Sequence, residues 1–262
     1  MTEPDPHGFS EDFGTIEIFG IPFSTFTRSI VMGLEEFGLG NCFIQHHTPP
    51  HSGEVRQRNP FGLLPVLVHR PNAIYSSSDD TVILYESNAI RRYIDESLGL
   101  QANQKFKHKV ELTPPAAKST PMERARVDQW VSVAATVIFP AVELGVVKRR
   151  LAMEGNSADD ESITLALDTG LEKLHDRLAI VEQMFNQPFS GDYICGNNVS
   201  WADLFAYPPL ADLRAIKEGE PILRSGKDAL YPKLNAWMDR MEQRESAKKT
   251  YPGTLASQRK KN

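Results

Sequence analysis

Apolar positions along this chain change their period once, and the change divides it in two. Thr15 to Phe19 is a short apolar strand, after which Phe26, Ile30, Leu34 and Phe37 recur at helical spacing until Gly38 stops the pattern. Cys42 to Gln45 reads as a second strand, and the loop Thr48-Pro49-Pro50-His51-Ser52-Gly53 leaves room for only a small helix before Asn59. Leu64 to His69 and Thr81 to Tyr85 follow as two strands joined by a polar hairpin whose tip holds Ser76-Ser77-Ser78-Asp79-Asp80. Ile90, Tyr93, Ile94 and Leu98 form the apolar side of a closing helix. This order, strand, helix, strand, small helix, strand, strand, helix, makes an α/β unit with a mixed sheet over residues 15–98.

Residues 99–121 are polar, carry Pro114-Pro115 and scattered lysines, and show no sustained period, so they read as a linker. Everything after them, residues 122–251, reads as helical. Leu167, Leu171, Leu174, Leu178, Val181 and Phe185 alternate four and three apart, as on one buried helix face. Ser200-Trp201-Ala202-Asp203 has the form of a capping box opening a helix through Leu213, and Leu234, Trp237, Met238 and Met241 mark another helix from Tyr231 to Glu245. The longest apolar stretch, Val131 to Val147, contains Ser132, Thr136, Pro140 and Glu143. It falls short of the roughly 20 apolar residues of a membrane span and reads as a kinked, buried helix.

At 262 residues and 40% hydrophobic, the chain can bury a core for two modest domains. A net charge of -5 without a basic stripe argues against a nucleic-acid partner, since phosphate binding needs clustered Lys and Arg. Arg259-Lys260-Lys261 in the tail, residues 252–262, is too short to alter that and reads as a solvated end. Two cysteines, Cys42 and Cys195, make no disulfide framework and have no metal-ligand spacing, which suits the reducing cytoplasm. Residues 1–14 lack the basic and apolar regions of a signal peptide and read as a disordered lead-in.

Two segments carry the chemistry. In Asn59-Pro60-Phe61-Gly62-Leu63-Leu64-Pro65-Val66-Leu67-Val68 a proline stands at the mouth of an apolar strand. Lacking an N–H, it leaves neighbouring backbone groups to pair with something other than a sheet neighbour, and a cis Leu64–Pro65 bond would turn the Leu64 backbone toward a cleft. In Tyr85-Glu86-Ser87-Asn88-Ala89-Ile90 a helix opening near Ser87 offers unpaired amides to a carboxylate, while Glu86 beside it suits an ammonium group. A carboxylate and an ammonium side by side describe an amino-acid end, such as the γ-glutamyl group of glutathione. Each feature alone has a plainer account: a trans proline at a strand edge, a simple helix cap.

A thioredoxin-like unit followed by an all-helical domain, with these two segments, resembles a cytosolic glutathione transferase from Thr15 to about Tyr251. Phe19-Gly20-Ile21-Pro22-Phe23-Ser24-Thr25-Phe26-Thr27-Arg28 and Asn59-Pro60-Phe61-Gly62 are most similar to the phi class and to fungal relatives, with serine-type bacterial β-etherases sharing the architecture. The resemblance implies an α/β thioredoxin-like N-terminal domain plus an all-α C-terminal domain, glutathione as co-substrate and a two-fold homodimer. It also implies a catalytic Ser24 that stabilises the glutathione thiolate, a Leu64 backbone paired with the cysteinyl part, a cis Pro65, and Glu86 and Ser87 on the γ-glutamyl end. Thr25 or Thr27 could compete with Ser24, or Ser24 could be a plain helix cap.

Two departures stand out. The segment before Asn59 is shorter than in phi-class proteins, where basic contacts to the glycine carboxylate lie; His47, His51 or Arg56 could substitute. The hairpin from His69 to Asp80 is longer than usual. The second, hydrophobic substrate is expected between the domains, against Phe23, Phe26, Val133, Val137, Phe139 and Pro140, whose apolar character suits an aromatic electrophile. Three functions follow from the resemblance: glutathione conjugation or reductive cleavage of such electrophiles, β-aryl-ether cleavage among them; a ligandin that stores aromatic compounds with little turnover; and a regulatory relative that binds glutathione alone. No metal and no membrane partner are expected.

Overall fold

The computed structural model describes residues 9–10, 13–72 and 81–259. The tip of the long hairpin, most of the lead-in and Lys260-Lys261 lie outside the described residues. The chain divides into two compact units, one of Met1–Leu112 with Lys249–Thr254, the other of Thr113–Lys248 with Leu255–Asn262.

In the first unit β2 (Gly14–Phe19) is the central strand. Its alternation buries Ile16 and Ile18 completely, while Thr15 and Glu17 are half-buried. One edge pairs antiparallel with β4 (Val66–Arg70), which pairs antiparallel with β5 (Val82–Tyr85). The other edge is shared: β1 (Phe9–Ser10) runs antiparallel along Thr15 and Gly14, and β3 (Ile44–His46) runs parallel along Glu17 to Phe19. The mixed sheet expected from the hydrophobic pattern is therefore present, with one addition, a two-residue strand inside the expected lead-in. Helix α1 (Thr25–Glu36) buries Thr27, Ile30 and Leu34, three and four apart, with Phe37 just beyond its end.

Where the sequence suggests a linker from residue 99, the chain stays helical. Helix α3 (Ser87–Tyr93) runs through a widened π turn, Ile94–Leu98, into α4 (Gly99–Phe106), which ends at Lys107 in the left-handed conformation. Gly99 breaks no helix here. A Cβ there would lie 2.7 Å from the Phe37 ring, so the missing side chain lets this helix close on the residue after α1.

Beneath the sheet, His69 is buried between Tyr93 Oη, 2.6 Å from its Nδ1, and the Phe13 carbonyl, 2.7 Å from its Nε2. A carbonyl only accepts, so Nε2 carries the proton and Nδ1 accepts from the tyrosine. Burial holds the ring below the usual histidine range, against the opposing pull of the Phe13 carbonyl.

Among the described residues of the second unit the regular elements are helices, with one isolated bridge between Tyr193 and Gly196. Helix α5, Pro121–Gly155, opens on a capping box in which Thr120 Oγ1 accepts from Glu123 N–H at 3.2 Å and the Glu123 carboxylate accepts from Thr120 N–H at 2.7 Å. It widens into π geometry at Ala134–Ile138 and Pro140–Val147, around the proline that has no N–H to give the helix ladder. By length and composition this helix does suffice to cross a membrane, contrary to the reading of residues 131–147 alone, because one Ser, one Thr and one Glu do not offset so many valines. Its Val127, Trp130, Ala134, Ile138, Val142 and Val146 are buried at three- and four-residue spacing, the pattern of a core helix.

Against it pack α6 (Asp160–Met184) and α7 (Trp201–Arg214), the latter buried over thirteen of its fourteen residues. Trp130, Phe185 and Trp237 form a chain of tilted rings with centroids 5.9 and 5.7 Å apart. The capping residue Asp203 is fully enclosed and accepts four hydrogen bonds, from Ile194 N (2.9 Å), Ser200 N (2.8 Å), Ser200 Oγ (2.9 Å) and Trp237 Nε1 (2.8 Å). One carboxylate thus joins the loop before α7 to α9 (Pro232–Gln243), beyond the short α8 (Gly219–Ile222).

Within the stretch read as a tail, residues 255–259 form a helix with Leu255 and Ser257 buried. After α10 (Glu245–Lys249), residues Lys249–Thr254 belong to the first unit and Leu255 onward to the second. There α11 (Leu255–Arg259) is fastened by Arg259 to Glu154 at 2.6 Å, and Glu154 also pairs with the buried Arg150 at 2.8 Å.

A second buried carboxyl in this unit titrates unusually. Glu143 is 2% exposed and hydrogen-bonds Asp212. Burial, then the Asp212 charge, push its pKa to about 8, with Lys148 opposing. The folded form therefore holds a proton that the unfolded chain releases in the ordinary carboxylate range. Between that range and about pH 8 the folded state binds more protons than the unfolded state, so stability falls with rising pH, at up to about 1.4 kcal/mol per unit. Glu143→Gln is expected to flatten this decline in urea denaturation curves collected across the interval; an unchanged slope would assign the decline elsewhere.

Candidate active site

The strand register fixes which loops meet. Phe19 stands opposite Val66 on one side and His46 on the other, and Val66 stands opposite Tyr85. β2, β3 and β5 run the same way and β4 runs against them. The segment after Phe19, the segment after His46, the residues before Val66 and the residues after Tyr85 therefore all leave the sheet at one edge. Those segments hold Ser24, His47 and His51, Leu64 and Pro65, and Glu86 and Ser87. The carboxyl-terminal edge of parallel strands is where α/β proteins bind ligands.

Ser24 is the N-cap of α1, in extended backbone (φ -78°, ψ 115°), and its Oγ accepts from Thr27 N–H at 3.3 Å. Accepting leaves the hydroxyl its own proton to donate. Of the competing hydroxyls, Thr27 is fully buried and Thr25 is 6% exposed, while Ser24 is half-buried at the helix mouth. Ser24 is thus the cap of α1 and is less enclosed than either threonine.

The Leu64–Pro65 peptide bond is cis. The loop before it is organised by Asn59, which is 1% exposed: its Nδ2 donates to the Leu63 carbonyl at 3.0 Å, its Oδ1 accepts from Phe61 N–H at 3.0 Å, and its own N–H donates to the Val55 carbonyl at 2.8 Å. Gly62, at φ +70°, faces His51 so closely that a Cβ would sit 2.6 Å from the imidazole, and its carbonyl accepts from His51 N–H at 2.7 Å. His51 itself has φ +64°.

Glu86 joins β5 to α3 at φ +68°, ψ +109°, a conformation costing a non-glycine residue on the order of 1–3 kcal/mol. Its side chain is exposed and makes no cap. Its carbonyl accepts from Ala89 and Ile90, leaving the amides of Ser87 and Asn88 in the first turn, which the helix ladder does not use. Asn88 Oδ1 accepts from Arg91 Nε at 2.6 Å.

The basic candidates separate. His51 is tied to the Leu64 loop as described. Arg56 is exposed and its Nε donates to the His51 carbonyl at 3.1 Å, so it supports His51 as much as it offers charge. His47 is exposed beyond β3. A further cation was not singled out in the sequence: Arg58 lies 4.0 Å over the Phe19 ring, against which His46 also stacks at 4.4 Å. His46 in turn bonds Glu17 at 2.8 Å, and Glu17 pairs with Arg70; these bonds outweigh burial and hold the Glu17 carboxyl below its usual range.

The hydrophobic candidates fall in both units. Phe23 and Phe26 flank Ser24 in the first and are half-buried; Val133, Val137, Phe139 and Pro140 are half-buried on α5 in the second. Neither cysteine offers a reactive thiolate, since burial raises Cys42 and raises Cys195 to about 12.

Residues 23–97 match the family model of the glutathione S-transferase N-terminal domain, and residues 160–240 match that of the glutathione S-transferase C-terminal domain. The two together span more than half of the chain. It belongs to the glutathione S-transferase family. Among curated relatives it is similar to the probable glutathione S-transferase GSTF1 of Oryza sativa subsp. japonica, 27% identical over 245 residues with 89% of this chain and 94% of that protein covered. It is likewise similar to glutathione S-transferase F10 of Arabidopsis thaliana, 29% identical over 241 residues with the same coverage. Among solved structures, glutathione transferase F7 from Populus trichocarpa superposes with a TM-score of 0.66 at 25% identity, covering 91% of this chain and 98% of that one.

In this glutathione S-transferase the strain at Glu86 gives a test that separates binding from folding. Glycine adopts φ +68° freely, so Glu86→Gly is expected to leave the protein at least as stable, by up to about 1 kcal/mol in chemical denaturation. The same variant should bind glutathione at least about tenfold more weakly in calorimetry. Undiminished binding would remove Glu86 from the site.

Proposed function

We propose that this chain is an enzyme that transfers glutathione to hydrophobic aromatic electrophiles, with Ser24 holding the sulfur as a thiolate. The observation that carries the reading is the convergence, by strand register, of the α1 N-terminus, the cis Leu64–Pro65 turn and the Glu86–Ser87 helix start on one sheet edge. The Leu64 backbone pairs with the cysteinyl part of the tripeptide. Glu86 takes its ammonium group, the Ser87 hydroxyl and first-turn amides of α3 take the γ-glutamyl carboxylate, and His51 with Arg56 faces the glycine carboxylate.

The magnitudes support a stabilised thiolate. Lowering a thiol pKa from about 9 to between 6 and 7 needs roughly 3–4 kcal/mol. A hydrogen bond to a charged acceptor supplies about 1.5–3 kcal/mol and a helix N-terminus up to about 2. The sulfur then attacks the electrophilic carbon, the carbon–sulfur bond forms as the leaving group departs with its electron pair, and the thiol proton has already passed to solvent. Phe23 and Phe26 give apolar surface beside the sulfur.

Ser24→Ala is expected to lower kcat/KM toward a chlorinated nitroaromatic by about 10²-fold, as for loss of one preorganised donor. It should also raise the pKa of bound glutathione by at least about one unit in an ultraviolet thiolate titration. Glutathione bound with an unshifted pKa in the wild type would overturn the role of Ser24. Bound glutathione without turnover of nitroaromatic, peroxide or aryl ether would favour the storage reading instead.

A further inference from the structure

Helix α1 and the turn before it are held from outside by one strap, Lys249–Thr254, which belongs to the first unit although the chain reaches it through the second. Gly253, at φ +86°, passes so close to Pro22 that a Cβ there would lie 2.9 Å from the Pro22 Cβ and 3.0 Å from its Cγ. Thr250 Oγ1 accepts from Arg28 Nε at 3.3 Å, and Lys249 Nζ donates to Glu35 at 2.8 Å. The first two of these contacts bracket Ser24, since Pro22 stands just before it and Arg28 closes the first turn after it.

The serine's own bonds leave its place to its neighbours. Its Oγ accepts from Thr27 N–H at 3.3 Å, longer than the roughly 2.7–3.2 Å usual for such bonds. Its N–H donates to the Ile21 carbonyl at 3.0 Å, so Ser24 follows the turn Ile21–Ser24, and Pro22 is the residue of that turn against which Gly253 packs. On the helix side its carbonyl accepts from Arg28 N–H at 2.9 Å, and the Arg28 side chain meets Thr250.

We propose that Gly253, through Pro22, and Thr250, through Arg28, are positioning residues for the glutathione thiolate: together they fix where the Ser24 hydroxyl stands. This rests on the role of Ser24 given above. A group that stabilises a reacting atom has to be held within about 0.5 Å of its productive place. A Cβ on residue 253 would have to retreat from 2.9 Å to an ordinary carbon–carbon separation of about 3.5–4.0 Å, a displacement of the same order, imposed next to the serine.

The test is ultraviolet thiolate titration and steady-state kinetics on the whole protein. Gly253→Ala is expected to raise the pKa of bound glutathione by about half a unit or more and to lower kcat toward a chlorinated nitroaromatic about threefold or more below that pKa. The KM for glutathione should stay within about twofold, because Leu64, Glu86 and Ser87 are untouched. Thr250→Val should move the pKa in the same direction, and Thr250→Ser, which keeps the hydroxyl, should return it to the wild-type value. Ile163→Val, which thins the buried core of the second unit, should lower the melting temperature and leave the pKa where it is. If Gly253→Ala does not fold, the two Thr250 variants decide. A wild-type pKa in either Gly253→Ala or Thr250→Val, when folded, or an equal rise in Ile163→Val, would overturn the proposal and leave Ser24 in its role. Glutathione bound with an unshifted pKa in the wild type would overturn the role of Ser24 and this proposal with it.

Discussion

Pairing of Phe19 with Val66, and of Val66 with Tyr85, is the constraint on which the candidate site depends. Side chains alternate across a strand, so a slip of one residue in either pair would exchange the two buried faces of β4, putting Val66 and Val68 where Leu67 and His69 now pack. It would also move Pro65 or Glu86 away from the edge where α1 begins. Burial prevents the slip: Ile16, Ile18, Val66, Leu67 and Val68 are at most 1% exposed. Placement of these polar groups is thus enforced by apolar groups several residues away.

The loops at that edge gain their rigidity differently. Asn59 supplies three hydrogen bonds from one buried residue and ties the segment before Leu64 to α2 (Gly53–Arg56). His51 and Gly62, both at positive φ, lock the two arms of the same loop through one backbone bond. Glu86 is held in a costly conformation by regular structure on both sides, β5 before it and α3 after it. Preorganisation of this kind places donors before a ligand arrives, so ordering costs do not fall on binding.

How much of this could be read beforehand depends on whether a feature is local. The proline turn, the serine cap, the Glu86-Ser87 helix start and the Ser200 to Asp203 box each sit within a few residues, and each stands in the structure near its expected place. The helix over 99–106, in a stretch read as a linker, gave no local signal because Gly99 packs on Phe37, more than sixty positions earlier in the chain, whose ring occupies the space a side chain would need. Arg259 was misread for the same reason: it looks like a solvated charge until Glu154 is placed beside it. Arg58 gave no signal of its own, since its partner ring belongs to β2. The reading of residues 131–147 as a buried helix holds, but not on composition, since apolar content describes a core helix and a membrane helix equally well and only the burial pattern separates them.

Helix α1 is loaded at more than one place, and this has a consequence for the chemistry proposed at its start. Its inward stripe is buried with α3 as its main neighbour, its N-terminus presents Ser24, and its outer stripe is gripped by the strap Lys249–Thr254, where Arg28 Nε donates to Thr250 Oγ1 at 3.3 Å and Lys249 bonds Glu35 at 2.8 Å. Thiolate stabilisation falls off within the first turn of a helix and depends on the amides there keeping their direction. Arg28 N–H donates to the Ser24 carbonyl at 2.9 Å, so the residue that anchors the strap also closes the first turn behind the serine. Arg28 therefore touches residue 250 through its side chain and the first turn at Ser24 through its backbone. A segment 222 positions further along the chain thus contacts the first turn of the helix that carries Ser24.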